Sequence, residues 1–190
     1  MPSFLLGAIA SGISGHLSFT PTGSFESIAT TTVGVGGQST VTFSSIPQTY
    51  THLQLRFMAR VTGATTLDNL TMRFNGVSGT SYTTHYLYGN GSSAGASYVT
   101  INGSELYVGR LTGANSTSGM FGVGIIDILD YSSSGSKYKT VRSLSGQDQN
   151  GSGEVFFWSG LFNSTDAISS ITLLNSYAQY SSFALYGVKA

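Results

Sequence analysis

Few residues in this 190-residue chain have the type and spacing to do chemistry, and each has a plainer role beside it. His16, His52 and His85 stand far apart and form neither His-x-His nor His-Glu-x-x-His, so they read as ordinary polar positions rather than zinc ligands. Asp127 and Asp130 close the run Ile-Ile-Asp-Ile-Leu-Asp. A glycosidase needs two carboxyl groups facing one cleft. Two carboxylates three residues apart on a strand point to opposite faces. Lys137, Lys139 and Arg142 follow on the next expected strand and are the better partners, as cross-strand ion pairs. Asp148-Gln-Asn-Gly-Ser-Gly-Glu has the opening letters of a calcium loop. Ser159 stands where the bidentate Glu belongs, and a tight Asn150-Gly151 turn explains the same letters. No esterase-type nucleophile elbow is expected, and Gly89 and Gly91 precede no helical pattern that would cradle a phosphate. The reading assigns no catalytic residue, no metal ligand and no cofactor: not an enzyme.

Aromatic residues are plentiful, with eleven Tyr, eleven Phe and one Trp. Tyr82, Tyr86 and Tyr88 alternate and so share one sheet face, a row suited to stacking on glycan rings or to a subunit contact, and equally suited to a core. Trp158, in Val-Phe-Phe-Trp-Ser-Gly-Leu-Phe, reads as core.

The elements that must carry these residues are strands. Thr51-His-Leu-Gln-Leu-Arg-Phe-Met-Ala-Arg-Val alternates with period two, placing Leu53, Leu55, Phe57, Ala59 and Val61 on a buried face. Leu70, Met72 and Phe74 repeat the pattern ahead of Asn75-Gly76, a favoured hairpin pair. Thr30–Val33 and Ser39–Ile46 flank Gly34-Val-Gly-Gly, which reads as another hairpin. Further strands are expected near 83–88, 98–101, 105–111, 122–129, 138–144, 155–161, 168–174 and 182–188, and Ser164 or Thr165 can cap a helical turn in 163–167. Short strands with turns every 8–12 residues indicate a single all-β sandwich over 21–190, jelly-roll-like in its leading topology. Residues 1–20 differ. Phe4, Leu5, Ile9 and Ile13 lie along one helical face weakened by glycines, which reads as an apolar arm that orders against a partner or, equally, as a first segment tucked against its own domain.

Charge bounds the partners. Only 8% of residues are charged, and eight acidic residues cancel eight basic ones. About 25% is ordinary. Without a basic excess there is no electrostatic footprint for nucleic acid or for an anionic membrane. A surface of Ser, Thr, Asn and Gly suits a chain held in an assembly more than a free monomer. No apolar run is long enough to span a membrane, and the apolar start lacks the positive residues of a secretory signal, so synthesis in the cytoplasm is expected. The cysteine count is zero, which removes disulfides and thiolate metal sites.

Several strings, among them Phe43-Ser-Ser-Ile-Pro-Gln-Thr-Tyr-Thr-His-Leu-Gln-Leu-Arg, Arg73-Phe-Asn-Gly, Tyr82-Thr-Thr-His-Tyr-Leu-Tyr-Gly-Asn-Gly, Tyr138-Lys-Thr-Val-Arg-Ser-Leu-Ser-Gly and Phe183-Ala-Leu-Tyr-Gly-Val-Lys, together span about residues 26–189. The chain resembles, on these, small structural proteins of tailed bacteriophages, of the kind found in podophages of cyanobacteria and marine bacteria. The resemblance implies a virion component with a jelly-roll-like fold and carries over no catalytic residue. The expected role is a decoration, or cement, protein on the capsid surface. It would bind the major capsid protein and associate with itself, as a trimer before a dimer, with Phe4, Leu5, Ile9 and Ile13 anchoring it to the shell or to a sister subunit. A head- or tail-fibre tip that binds host glycans through Tyr82, Tyr86 and Tyr88 is the alternative.

Overall fold

The computed structural model describes residues 23–189, which fold as twelve strands and no helix. They are β1 (Phe25–Thr32), β2 (Gln38–Phe43), β3 (His52–Ala59), β4 (Leu67–Phe74), β5 (Tyr82–Gly89) and β6 (Ala94–Gly103), then β7 (Leu106–Thr112), β8 (Gly122–Ile128), β9 (Lys139–Asp148), β10 (Gly153–Phe162), β11 (Ile171–Tyr177) and β12 (Ser182–Val188). One sheet has eight strands in the order β1-β12-β3-β8-β9-β10-β5-β6; the other has four, β2-β11-β4-β7, and every pairing between strands is antiparallel. The two pack as a β-sandwich around one core. The alternation in β3 holds as expected: Leu53, Leu55, Phe57 and Ala59 are buried, as is Val61 just beyond, while Gln54, Arg56 and Met58 turn outward. Val41 and Phe43 of β2, Leu70, Met72 and Phe74 of β4, and Ile171 and Leu173 of β11 meet them from the small sheet.

Serine and threonine hydroxyls join the sheets along one seam. β7 is the free edge of the small sheet, and its backbone leans on the inner face of the large one. Tyr107 N–H donates to Thr84 Oγ1 at 3.3 Å, Arg110 N–H to Ser145 Oγ at 3.3 Å, and Ser143 Oγ to the Val108 carbonyl at 2.5 Å. Ser145 Oγ also accepts the Trp158 indole N–H at 3.0 Å. These buried polar groups are thereby satisfied, and an edge that would otherwise offer unpaired amides is closed.

Both expected hairpins before residue 80 are instead crossings between sheets. β1 pairs with β12 and β2 with β11, so Gly34–Gly37 carries the chain from the large sheet to the small one. Gly36 and Gly37 supply positive φ there, and a Cβ on Gly37 would meet the Tyr177 carbonyl at 2.7 Å. Asn75-Gly76 does form the tight turn its letters predict, with φ of 52° and 70°, but it delivers β5 to the opposite sheet. Turn chemistry fixes local geometry and leaves open which strand comes alongside. The turns at 90–93 and 149–152 do close hairpins, β5–β6 and β9–β10. Residues 163–167 hold no helical turn: Ser164 Oγ accepts the Asp166 amide at 3.1 Å, a local bond that competes with helix.

Arg60 organises the crossing after β7. Its guanidinium donates to the carbonyls of Thr117, Met120, Ala114 and Ser116 at 2.9–3.2 Å, so one cation serves four acceptors of a loop with no secondary structure. Lys139 is fully buried and donates to the carbonyls of Ser133, Lys137 and Thr165 rather than to a carboxylate. Burial is the main influence on its pKa and lowers it.

Burial also holds the hydroxyls of Tyr82, Tyr131 and Tyr177 above the usual phenol range. A raised folded pKa means that the native chain keeps protons which the unfolded chain releases near pH ~10. The stability these rings contribute is complete below that pH and is lost as pH climbs through the folded values. The melting temperature is therefore expected to fall beyond pH ~10, with tyrosinate absorbance from the three rings appearing in step with unfolding. Their ionisation in a chain that keeps its native spectrum would contradict this burial.

Candidate functional site

The small sheet packs on one face of the large sheet, and no strand among the described residues covers the opposite, outer face. Its side chains fall into rows set by strand register. The middle row runs Arg56–Ile125–Leu144–Phe157–Leu87–Ala96 across β3, β8, β9, β10, β5 and β6. The row nearer the β9–β10 turn runs Met58–Val123–Gly146–Val155–Gly89–Ala94. The third runs Gln54–Asp127–Arg142–Ser159–His85–Tyr98. Leu144, Val155 and Leu87 expose 54%, 58% and 56% of their surface. Isolated exposed apolar residues are normal, but a contiguous patch marks a contact surface. Two shallow hollows lie in it: one of about 450 Å³ beside Leu87, Tyr98 and Phe157, and one of about 500 Å³ beside Ile125, Leu144 and Val155.

The charges on this face satisfy one another. Arg142 Nη2 meets Asp127 Oδ2 at 3.0 Å, Gln54 Nε2 donates to Asp127 Oδ1 at 3.0 Å, and Arg56 Nε donates to Gln54 Oε1 at 3.0 Å. The Arg56 guanidinium also lies over the rings of Phe25 and Tyr186, 5.4 and 5.5 Å from their centroids. Of the expected ion pairs, Asp127–Arg142 forms across β8 and β9, Asp130–Lys137 forms at 3.0 Å within the connection between them, and Lys139 makes none. The Lys137 bond is the main influence holding the Asp130 carboxyl below its ordinary range. His52 Nδ1 lies 3.6 Å from Asp130 Oδ1 and accepts the Asp130 amide at 2.9 Å.

The tyrosine row shares one face, the inner one, and divides at β7. Tyr82 is buried in the core, its hydroxyl accepting the Phe74 amide at 3.0 Å and donating to the Val77 carbonyl at 3.1 Å. Tyr86 and Tyr88 lie beyond the edge of the small sheet, half-buried, against Phe156 and Trp158. Phe156 and Trp158 stack at 5.1 Å, and the Arg110 guanidinium sits 6.0 Å above Phe156 while its Nε faces Glu154 Oε2 at 3.6 Å. Gln147, beside Glu154 in register, is buried and its Oε1 has no hydrogen-bond partner among the described residues. Trp158 belongs to this satellite cluster rather than to the main core. The arm residues Phe4, Leu5, Ile9 and Ile13, and His16 with them, lie outside the described residues.

Asp148 Oδ1 accepts the amides of Asn150 and Gly151 at 2.8 and 3.4 Å, the ordinary capping of a tight turn. Among the described residues no three of His, Asp and Glu gather as metal ligands. The letters Gly-x-Ser-x-Gly do occur, at Gly91-Ser-Ser-Ala-Gly95, contrary to the sequence expectation. They form the β5–β6 hairpin turn, where Asn90 Oδ1 accepts the Ser92 and Ser93 amides; a nucleophile elbow needs a strand leading into a helix. Compared with protein-family models, curated proteins and solved structures, the chain matches none.

Phe157 and Trp158 are neighbours in sequence on opposite faces, and so are Leu144 and Ser145. Trp158→Ala is expected to destabilise the chain by about 3–5 kcal/mol. Leu144→Thr on the open face is expected to stay within about 0.5 kcal/mol. Urea unfolding of both variants at low protein concentration checks the contrast; equal costs would mean that the outer face is not open.

Proposed function

We propose that this chain is a non-enzymatic structural protein of a tailed-phage particle, made in the host cytoplasm and placed on the capsid surface as a decoration protein bound to the major capsid protein. The observation that carries the reading is the outer face of the large sheet. A neutral chain with 8% charged residues leaves rows of Ile, Leu, Val and Phe facing out, a surface suited to permanent contact with protein. Asp127, the carboxylate in the rows of that face, is neutralised by Arg142. Strand order supports the jelly-roll part of the reading. Without the β5–β6 and β9–β10 hairpins the sheets read β1-β12-β3-β8 and β2-β11-β4-β7, an interleaving that viral coat domains and lectins share. The resemblance of its strings to phage structural proteins points the same way.

A fibre tip binding host glycans is the second reading, favoured by Tyr86 and Tyr88 at the margin of the Phe156–Trp158 stack with Gln147 Oε1 unpartnered nearby. Flat rings beside amide and carboxylate groups are what a sugar ring meets in a binding site.

Copy number and position on purified particles separate the two. Quantitative mass spectrometry with electron microscopy is expected to find hundreds of copies spread over the head. A few to dozens of copies at a fibre would select the second reading, and absence from particles would overturn both.

A further inference from the structure

We infer that the inner face of β5 and β10, where it emerges beyond β7, binds a neutral pyranose with equatorial hydroxyls, of the glucose or galactose type. The inference rests on the glycan half of the second reading and adds the sugar class and the groups that hold it. It does not require a fibre, since a decoration protein can carry the same site.

Unpaired polar atoms are concentrated here. Four buried side-chain polar atoms among the described residues have no hydrogen-bond partner, and three of them are Arg110 Nε, Glu154 Oε2 and Gln147 Oε1. Arg110 Nε and Glu154 Oε2 face each other at 3.6 Å, and Gln147 lies opposite Glu154 in register. Gln147 exposes only 7% of its surface, so its side chain is withdrawn from water. An unpaired buried group costs stability, and three in one place call for a common explanation. One donor beside two acceptors is the complement of a sugar hydroxyl, which both donates and accepts. An anionic ligand would find the cation of this cluster already engaged: Arg110 faces Glu154, and its Nη1 donates to Asn69 Oδ1 at 2.9 Å.

Rings supply the other half. Tyr86 and Tyr88 are half-buried, with centroids 6.1 Å apart and planes tilted by 46°. They rest against the Phe156–Trp158 stack, which the bond from Trp158 Nε1 to Ser145 Oγ holds in place. Ser97, exposed and opposite Tyr86 in register, adds a hydroxyl at the margin. A pyranose with equatorial hydroxyls presents C–H groups on its face and hydroxyls round its rim. The face lies on the tyrosines, and the rim meets the polar cluster. From β5 to β9 is two strand spacings, about 10 Å, a span that one or two sugar units bridge.

Trp158 is the one tryptophan in the chain and lies 5.2 Å from the Tyr86 ring, so its emission reports occupancy. The full chain is titrated with methyl glucoside, methyl galactoside, cellobiose and lactose, and with sialic and glucuronic acids as anionic probes. A saturable change in emission is expected with the neutral sugars and not with the anionic ones. Tyr88→Ala is expected to weaken binding at least tenfold. Gly95→Ala sets a Cβ 2.8 Å from Tyr88 Cε1, so it is expected to turn that ring and weaken binding several-fold with an unchanged circular-dichroism spectrum. Gln147→Met removes the unpaired acceptor at similar volume. It is expected to weaken binding while the melting temperature holds or rises, a combination that a purely structural glutamine would not give. Tyr138→Ala, at an exposed tyrosine elsewhere, is expected to leave binding unchanged. Binding of the anionic sugars alone would overturn the neutral class and leave the glycan reading standing. Sugar binding that survives both Tyr88→Ala and Gln147→Met would overturn this site. No saturable response to any sugar would overturn the site and the glycan reading together, while the decoration reading still rests on the particle count.

Discussion

A four-stranded sheet can cover at most part of one face of an eight-stranded sheet, and the rest of this structure follows from that mismatch. β7 lies over β9 and β10 on the inner face, sealed there by Thr84, Ser143 and Ser145. Beyond it the inner face of β5 and β10 must find other cover, and aromatic rings stacked on one another provide it. The outer face has no cover within the described residues, yet it is built from residues that other proteins bury. Strands with both faces apolar are typical of sheets sandwiched between two layers.

The seam that joins the sheets is polar for a geometric reason. An edge strand laid on a sheet brings backbone amides against side chains, and an apolar side chain would leave them unpaired at a cost of about 1–3 kcal/mol each. Short hydroxyls reach without adding bulk. Arg60 solves the same problem in the 113–121 crossing, where carbonyls converge with no strand amides to donate to them. Stability without disulfides therefore draws on a buried apolar core and on backbone groups paired by Thr84, Ser143, Ser145 and Arg60, while Arg110 Nε, Gln147 Oε1, Glu154 Oε2 and the Tyr177 hydroxyl are buried without a hydrogen-bond partner among the described residues.

Period two was the legible part of the sequence. It assigned β3 with the correct face, found the strands, and placed Tyr82, Tyr86 and Tyr88 together. Partner choice was illegible, because Gly34–Gly37 and Asn75-Gly76 specify a reversal of direction and are silent on which sheet receives the next strand. The outer face was missed for a related reason. Val155-Phe-Phe-Trp and Ile125-Ile126 are continuous apolar runs, the signature of a strand buried on both faces, but they read as core when only one layer is imagined. Lys139 was misread as an ion-pair partner because sequence spacing cannot show that its position turns inward, where only carbonyls are in reach.

Hydroxyl-radical footprinting tests most directly whether the outer face is a contact surface. The chain is labelled once in its assembled form and once diluted until it is monomeric. Met58, Tyr98, Leu144 and Phe157 are expected to be protected on assembly, while Val35 and Tyr180, exposed in connections between strands, keep their labelling. Equal labelling of the outer rows in both states would contradict the account.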